Sequence, residues 1–351
     1  MPITSKGAPF RYSGAINVEH CKTAEEAIKA ANLDWEVAKC PIYGEMPTEK
    51  LEDLSLNPNS FVHRDSMYAK VPNAYGVYRT DFNIPLGIVK ERYNLVQNVD
   101  AFSFFNDAIG KNEAIWQTAG YFGNGERIFV SAKIPKHILV DDDPIENYLV
   151  FTTSHDGSSG VKILFTPIRI ICENTLNAAI MNSSNYISFR HTDSVHDNIR
   201  QISDIINACN AKVDNLQCYY NMMKNVKVTD KQAMEYFTEF ILSEAELNNL
   251  KMTGHIAQEL VYKNYQAMVD AGVSTKKVNV ISSMYDYYHA GIGQKEILGT
   301  GWGLYNAVSG YYSNVDNATG IKRMDSLLFG DKAKKIQKAG DMIINSIKTA
   351  V

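Results

Sequence analysis

The chain has 351 residues, 45% of them hydrophobic, and a formal net charge of −4. That length suits two packed lobes or one domain with helical additions, and the acidic balance argues against a protein that coats duplex DNA by bulk electrostatics. No apolar run approaches the roughly 18 residues that would cross a bilayer, and the five cysteines are odd in number and never paired as CxxC, which argues against a disulfide framework or a zinc site.

The first residues, MPITSKGAPFRYSG, lack the apolar centre of a signal peptide, and the scattered cysteines suit a reducing cytosol, so a cytoplasmic location is expected. Residues 1 to about 60 read as peripheral. Thr23, followed by Glu25 and Glu26, predicts a short helix whose first turn carries the acids the helix dipole favours. A strand-like piece ending at Pro41 follows. The polar stretch holding Pro47 and Pro58 reads as a loop.

From Asn73 onward two β-rich pieces flank Pro85-Leu86-Gly87. Asp100 is a plausible N-cap, with Phe102, Phe105 and Ile109 at helical spacing behind it. Gly123-Asn124-Gly125 is a hairpin signal, because positive backbone angles are cheap there. The strand that follows alternates: Arg127, Phe129, Ser131 and Lys133 to one side, Ile128, Val130 and Ala132 to the other. A second turn is expected at His155–Gly160. A β-branched strand then runs to Cys172, with Pro167 marking an edge or bulge. Asn174 or Thr175 is expected to cap a helix.

Beyond Arg190 the spacing becomes helical. Ile199, Ile202, Ile206, Cys209, Val213, Leu216 and Tyr220 predict a long amphipathic helix, with an arm-like hairpin one reading of it. Further helices are predicted over 230–242, over 243–272 with a stop at Gly272, and from about Gly301. Residues 321–351 carry seven Lys/Arg against three Asp, a basic helical tail whose plain reading is a solvated face.

The strand face bearing Arg127, Phe129 and Lys133 is the strongest candidate surface. Lys162 and Arg169 lie nearby in the chain, and Lys90 and Arg92 could extend a groove. Single-stranded nucleic acid is held by cationic grooves that also offer flat rings for stacking. The competing reading is a solvated face with one ring covered by a helix. HDGSSG invites a catalytic reading through His155, Asp156 and Ser158, but Asp-Gly and Ser-Gly are turn dipeptides and no GxSxG elbow is present. GNGE and GIGQKEILGTGWG fit neither phosphate-loop pattern. Asp141 to Asp143 could gather a divalent metal, though adjacent loop carboxylates usually face water. Tyr285, Tyr287 and Tyr288 could stack bases or sit at helix contacts.

The blocks LGIVKERYNLVQNVDAF, TAGYFGNGERIFVSAKI, YLVFTTSHDGSSGVKILFTPIRIICENTLNAAI, GTGWGLYNAV and RMDSLLFGDKAKKIQKA together resemble the phage/plasmid-like family of domain-of-unknown-function proteins, DUF932-like. The resemblance spans roughly Leu86 to Ala339 and implies carriage on phages, plasmids or integrated elements in a bacterial host. It implies no reaction. At the level of topology, hairpins followed by a helix are also similar to the core of Rad52-type single-strand annealing proteins, an analogy of fold.

The expected fold is α+β: a central, mainly antiparallel sheet followed by a helical C-terminal region. The expected division is an N-terminal extension over 1–72, a β-rich core over 73–191 and a helical region over 192–351. The expected function is binding or annealing of single-stranded DNA in recombination or replication by a homo-oligomer, with no cofactor, metal or membrane. The alternatives are a metal-dependent enzyme acting on nucleic acid or nucleotides, using His155, Asp156 and the Asp141–Asp143 loop, and a structural or host-factor-binding protein.

Overall fold

A computed structural model of the chain describes residues 14–46, 59–63, 66–110, 113–169, 174–175, 186–192, 195, 202–252, 265–316 and 320–349. Two antiparallel sheets share one hydrophobic core with the helices, giving an α+β protein. The larger sheet has seven strands: β1 (Ile16–Asn17), β6 (Ile115–Phe122), β7 (Arg127–Val140), β8 (Asp143–Ser154), β9 (Val161–Arg169) and β10 (Asn174–Thr175) in that spatial order, with β11 (Tyr186–Phe189) also on β9. The smaller sheet is formed by β2 (Val37–Met46), β4 (Ser66–Arg79) and β3 (Ser60–His63), with β5 (Ile84–Val89) also pairing β4.

The N-terminal part is not peripheral. Thr23 caps α1 (Ala24–Ala30) through its hydroxyl, which accepts from the Glu26 amide at 3.1 Å. Val18, Ala27, Leu33 and Trp35 are buried in the main core, and β1 adds to the large sheet beside β6. A boundary at 72/73 would cut through β4, and a single core cluster runs from Val18 to Ile344. The strand expected to stop at Pro41 continues to Met46, with a register shift between Pro41 and Tyr43.

Helix α2 (Asn98–Gly110) starts as expected, but Asp100 lies inside it, its carboxylate accepting from the Gln97 amide at 2.8 Å. The hairpin at Gly123 and Gly125 uses positive φ of 63° and 118°. Pro167 sits within β9 opposite Asn147; on its outer side β11 pairs residues 161–164 and β10 pairs 168–169. Pro167 thus sits between two short edge partners, the kind of irregular edge position where strands tolerate proline. Asn174 and Thr175 form β10 rather than a helix cap; the helix expected after them falls at 176–185, outside the described residues.

The helical part comprises α3 (Ile202–Asn225), α4 (Asp230–Ile241), α5 (Glu244–Met252), α6 (Tyr265–Asp270), α7 (Thr275–Ala290), α8 (Gly301–Gly310) with one π turn at Tyr311–Val315, α9 (Gly320–Leu328) and α10 (Asp331–Thr349). Helix α3 is no projecting arm; it packs across β7 and against α8 and α10. α8 is buried along its whole length, which explains the GTGWG segment. An added Cβ at Gly303 would stand 2.5 Å from the Ile297 carbonyl oxygen. The glycine serves close packing and not phosphate binding. Gly303→Ala is expected to cost about 1–3 kcal/mol, because the obstacle is backbone that cannot swing away; chemical denaturation measures it.

Candidate nucleic-acid interface

Strand register puts Arg127, Phe129, Ser131 and Lys133 on one face of the large sheet, as the alternation predicts, and Lys162, opposite Thr152, joins them there. That face is not open. Helix α9 lies across it, and Met324 and Leu328 pack with Phe122, Phe129, Val150 and Leu164 in a second, smaller core cluster. Phe129 is fully buried. The Arg127 guanidinium donates to the Asp325 carboxylate of α9 at 2.5 Å and to the Ser158 hydroxyl at 3.4 Å. Lys133 is held between Glu146, 3.4 Å away, and Glu19, 3.9 Å away.

Lys162 lies over the Phe329 ring, 4.5 Å from its centroid. Burial pulls its ammonium below the ordinary lysine value, with the Arg127 charge acting the same way and Asp325 opposing. Arg127, Phe129, Lys133 and Lys162 are thus committed to internal partners. The Arg169 side chain lies outside the described residues.

Lys90 and Arg92 stand elsewhere, on a tight turn that follows β5, closed by the Tyr93 amide donating to the Lys90 carbonyl at 3.0 Å. The chain after β11 brings Arg190 and His191 alongside. Together with Val89 and the Gly157–Gly160 turn, these residues line a groove of ≈ 400 Å³. Its floor is firm. The Tyr93 and His191 rings stack at 4.3 Å with 17° between planes. The Tyr93 hydroxyl donates to the Ser154 carbonyl at 2.6 Å, and burial pushes that hydroxyl well above the usual tyrosine range. Both His191 nitrogens are engaged, with Thr153 at 3.1 Å and the Asn94 carbonyl at 3.0 Å.

Above this floor Lys90, Arg92 and Arg190 are exposed, and none of the three side chains has an ion-pair partner among the described residues. Asp156, which leads into the Gly157–Gly160 turn, accepts from the Ser158 amide at 2.9 Å, and Glu91, between Lys90 and Arg92, forms no ion pair with either. Guanidinium groups offer planar forks of donors matched to phosphate oxygens, and lysine adds a point charge. The groove can therefore hold a phosphate-bearing ligand.

The metal-site alternative does not assemble. His155 directly follows β8 and Asp143 begins it, so the 12-residue strand keeps them roughly 35 Å apart. Asp141 pairs with Lys224 at 3.0 Å, Asp143 accepts from the Trp302 indole at 3.2 Å, and His155 is buried against Asn98 at 3.0 Å. Among the described residues no group of three metal-ligating side chains gathers. Tyr285, Tyr287 and Tyr288 are buried among helices, with the Tyr285 hydroxyl on Asp230 at 2.5 Å. In the basic tail Lys332 pairs with Asp316, while Lys335 and Lys338 lie over the Tyr312 and Phe240 rings.

Sequence reasoning singled out Lys90 and Arg92 but missed Tyr93, Arg190 and His191. The only local signal was Arg-His after the ISF strand. Its meaning depends on the Asn94 amide bonding the His191 carbonyl at 3.0 Å, a contact across nearly a hundred residues.

Fold and groove together define an α+β protein of two antiparallel sheets with a cation-lined cleft where they meet. The chain belongs to the DUF932 family, described as "Domain of unknown function (DUF932)", whose model matches residues 85–339. That span includes every cation of the groove. No curated protein and no solved structure matches the chain, so the likeness to Rad52-type proteins gains no support. No described helix is long and apolar enough to cross a membrane.

Proposed function

We propose that this protein binds single-stranded nucleic acid through the Lys90–Arg92–Arg190 groove, in keeping with the expected role in recombination or replication of a mobile element. One observation carries the reading: three exposed cations with no ion-pair partner among the described residues converge on one concave surface, while Arg127 and Lys133 are matched to acids. A polyanion supplies the missing counter-charges along its backbone. A strand-annealing role would further require a self-associating protein, which light scattering with and without strand tests.

The expected result is specific in magnitude. Single strands release counterions with a slope near −0.7 per phosphate contacted. Three contacts therefore give a slope of about +2 in log Kd against log salt, or a roughly twenty-fold loss of affinity between 50 and 200 mM salt. Lys90→Glu/Arg92→Glu/Arg190→Glu should weaken binding at least about 100-fold by anisotropy, with an unchanged melting temperature because all three side chains face water. Unaltered binding by the triple variant would refute the assignment.

A further inference from the structure

The smaller sheet reaches past the groove, and its outer part carries rings. Opposed residues in its register share a face: Tyr43 faces Lys70, and both Glu45 and Phe61 face Tyr68. Tyr43 and Phe61 meet edge to face at 5.0 Å, and Phe61 and Tyr68 stack at 5.3 Å with 16° between planes. Tyr43 and Phe61 are 40% and 47% exposed. Toward the root, Lys70 and Lys39 lie over the Tyr75 ring at 5.9 and 5.6 Å. Lys39 then donates to the carbonyls of Glu91 and Tyr93 at 3.0 and 2.7 Å. Rings and ammonium groups thus alternate along one strip that ends in the turn carrying Lys90 and Arg92. Glu45, at the outer end, is the one carboxylate on this face of the three paired strands.

We infer that this strip is a base-stacking platform: a single strand anchored by its phosphates in the groove lays unpaired bases on Phe61 and Tyr43. The inference rests on the groove reading and deepens it. The occupant is a single strand because the strip offers flat, exposed rings with cations between them. Stacking on aromatic rings is tolerant of sequence, and the interleaved charges match a phosphate backbone. A purely apolar partner would leave Lys70 without a counterpart.

The test compares an oligothymidine with an abasic strand of equal length, each labelled and titrated against the full chain. The parent should prefer the oligothymidine by about ten- to hundred-fold, the scale of one or two stacked bases. Tyr43→Ala/Phe61→Ala should lose about ten-fold or more on oligothymidine and almost nothing on the abasic strand. Equal binding of oligothymidine by this variant and the parent overturns the platform, as does an equal loss on both strands. A variant that instead becomes monomeric in light scattering, where the parent is dimeric, assigns the rings to a second copy and also overturns it. The groove fails separately, by the triple charge reversal leaving both strands bound. Phe61→Trp keeps a stacking ring and should restore the oligothymidine preference, which separates stacking from a general disturbance of the sheet.

Discussion

Phe129→Ala is expected to destabilise the protein by about 3–5 kcal/mol, the range for truncating a fully buried phenylalanine into a cavity. The ring has no exposure and touches Phe122 at a centroid distance of 5.5 Å. Its cluster is small: four sheet residues and two from α9, apart from the main core. A cavity there cannot be refilled by a shift of many neighbours, so the upper half of the range is expected. The loss should also loosen α9 first, because two of its three buried residues, Met324 and Leu328, pack in this cluster. The other ties are fewer: Leu327 in the main core, the Arg323 guanidinium on the Ser313 carbonyl, and Arg127 to Asp325, whose acid is 39% exposed and well solvated. Urea unfolding reads the total, and amide exchange over 320–328 reads the local part. A loss below about 1 kcal/mol, with α9 protected as in the parent, would show that the helix does not depend on this ring.

That same strand shows how far the sequence could be read. The period of two over Arg127 to Lys133 correctly gives the strand and the division of its faces. The inference that the polar side faces water fails, because each polar residue finds a partner inside: Arg127 with Asp325, Ser131 with Thr118 at 2.7 Å, Lys133 with Glu146 and Glu19. Asp325 is almost two hundred residues away, so no local pattern announces it. Turn and cap chemistry was legible at Thr23 and Gly123, where a few adjacent residues decide the element, but misplaced at Asp100, which lies inside its helix, and at Asn174 and Thr175, which form a strand. The groove was half legible. Lys90 and Arg92 stand out as charges beside a strand, whereas Arg190 and His191 acquire meaning only when β11 returns along β9. The ring strip was hidden for a different reason. Tyr43, Phe61 and Tyr68 lie on separate strands and look unremarkable until register sets them side by side.

Acid should expose a second large effect, at His155. The Asn98 amide group donates to the carbonyls of Leu33 and Trp35 at 3.0 Å each, which turns its oxygen toward His155 Nε2 at 3.0 Å. That oxygen accepts only, so Nε2 carries the proton of the neutral ring, and Nδ1 has no hydrogen-bond partner among the described residues. Protonating Nδ1 would place a charge and an unmatched donor in the core beside Trp35, whose ring lies 5.6 Å away. Burial, aided by nearby His191 and opposed by Asp156, lowers the His155 pKa from 6.5 to about 3. The folded state thus takes up its proton far later than the unfolded chain. Stability from this group is complete above pH 6.5 and is lost as pH falls from there toward 3. At pH 4 the loss relative to pH 7.5 is ~3 kcal/mol. His155→Gln keeps a donor for Asn98 and cannot titrate. Urea unfolding at the two pH values should show the variant losing ~3 kcal/mol less than the parent on acidification, even if it starts from a lower stability. Equal acid losses in both proteins would mean that His155 is protonated as readily in the folded chain as in the unfolded one.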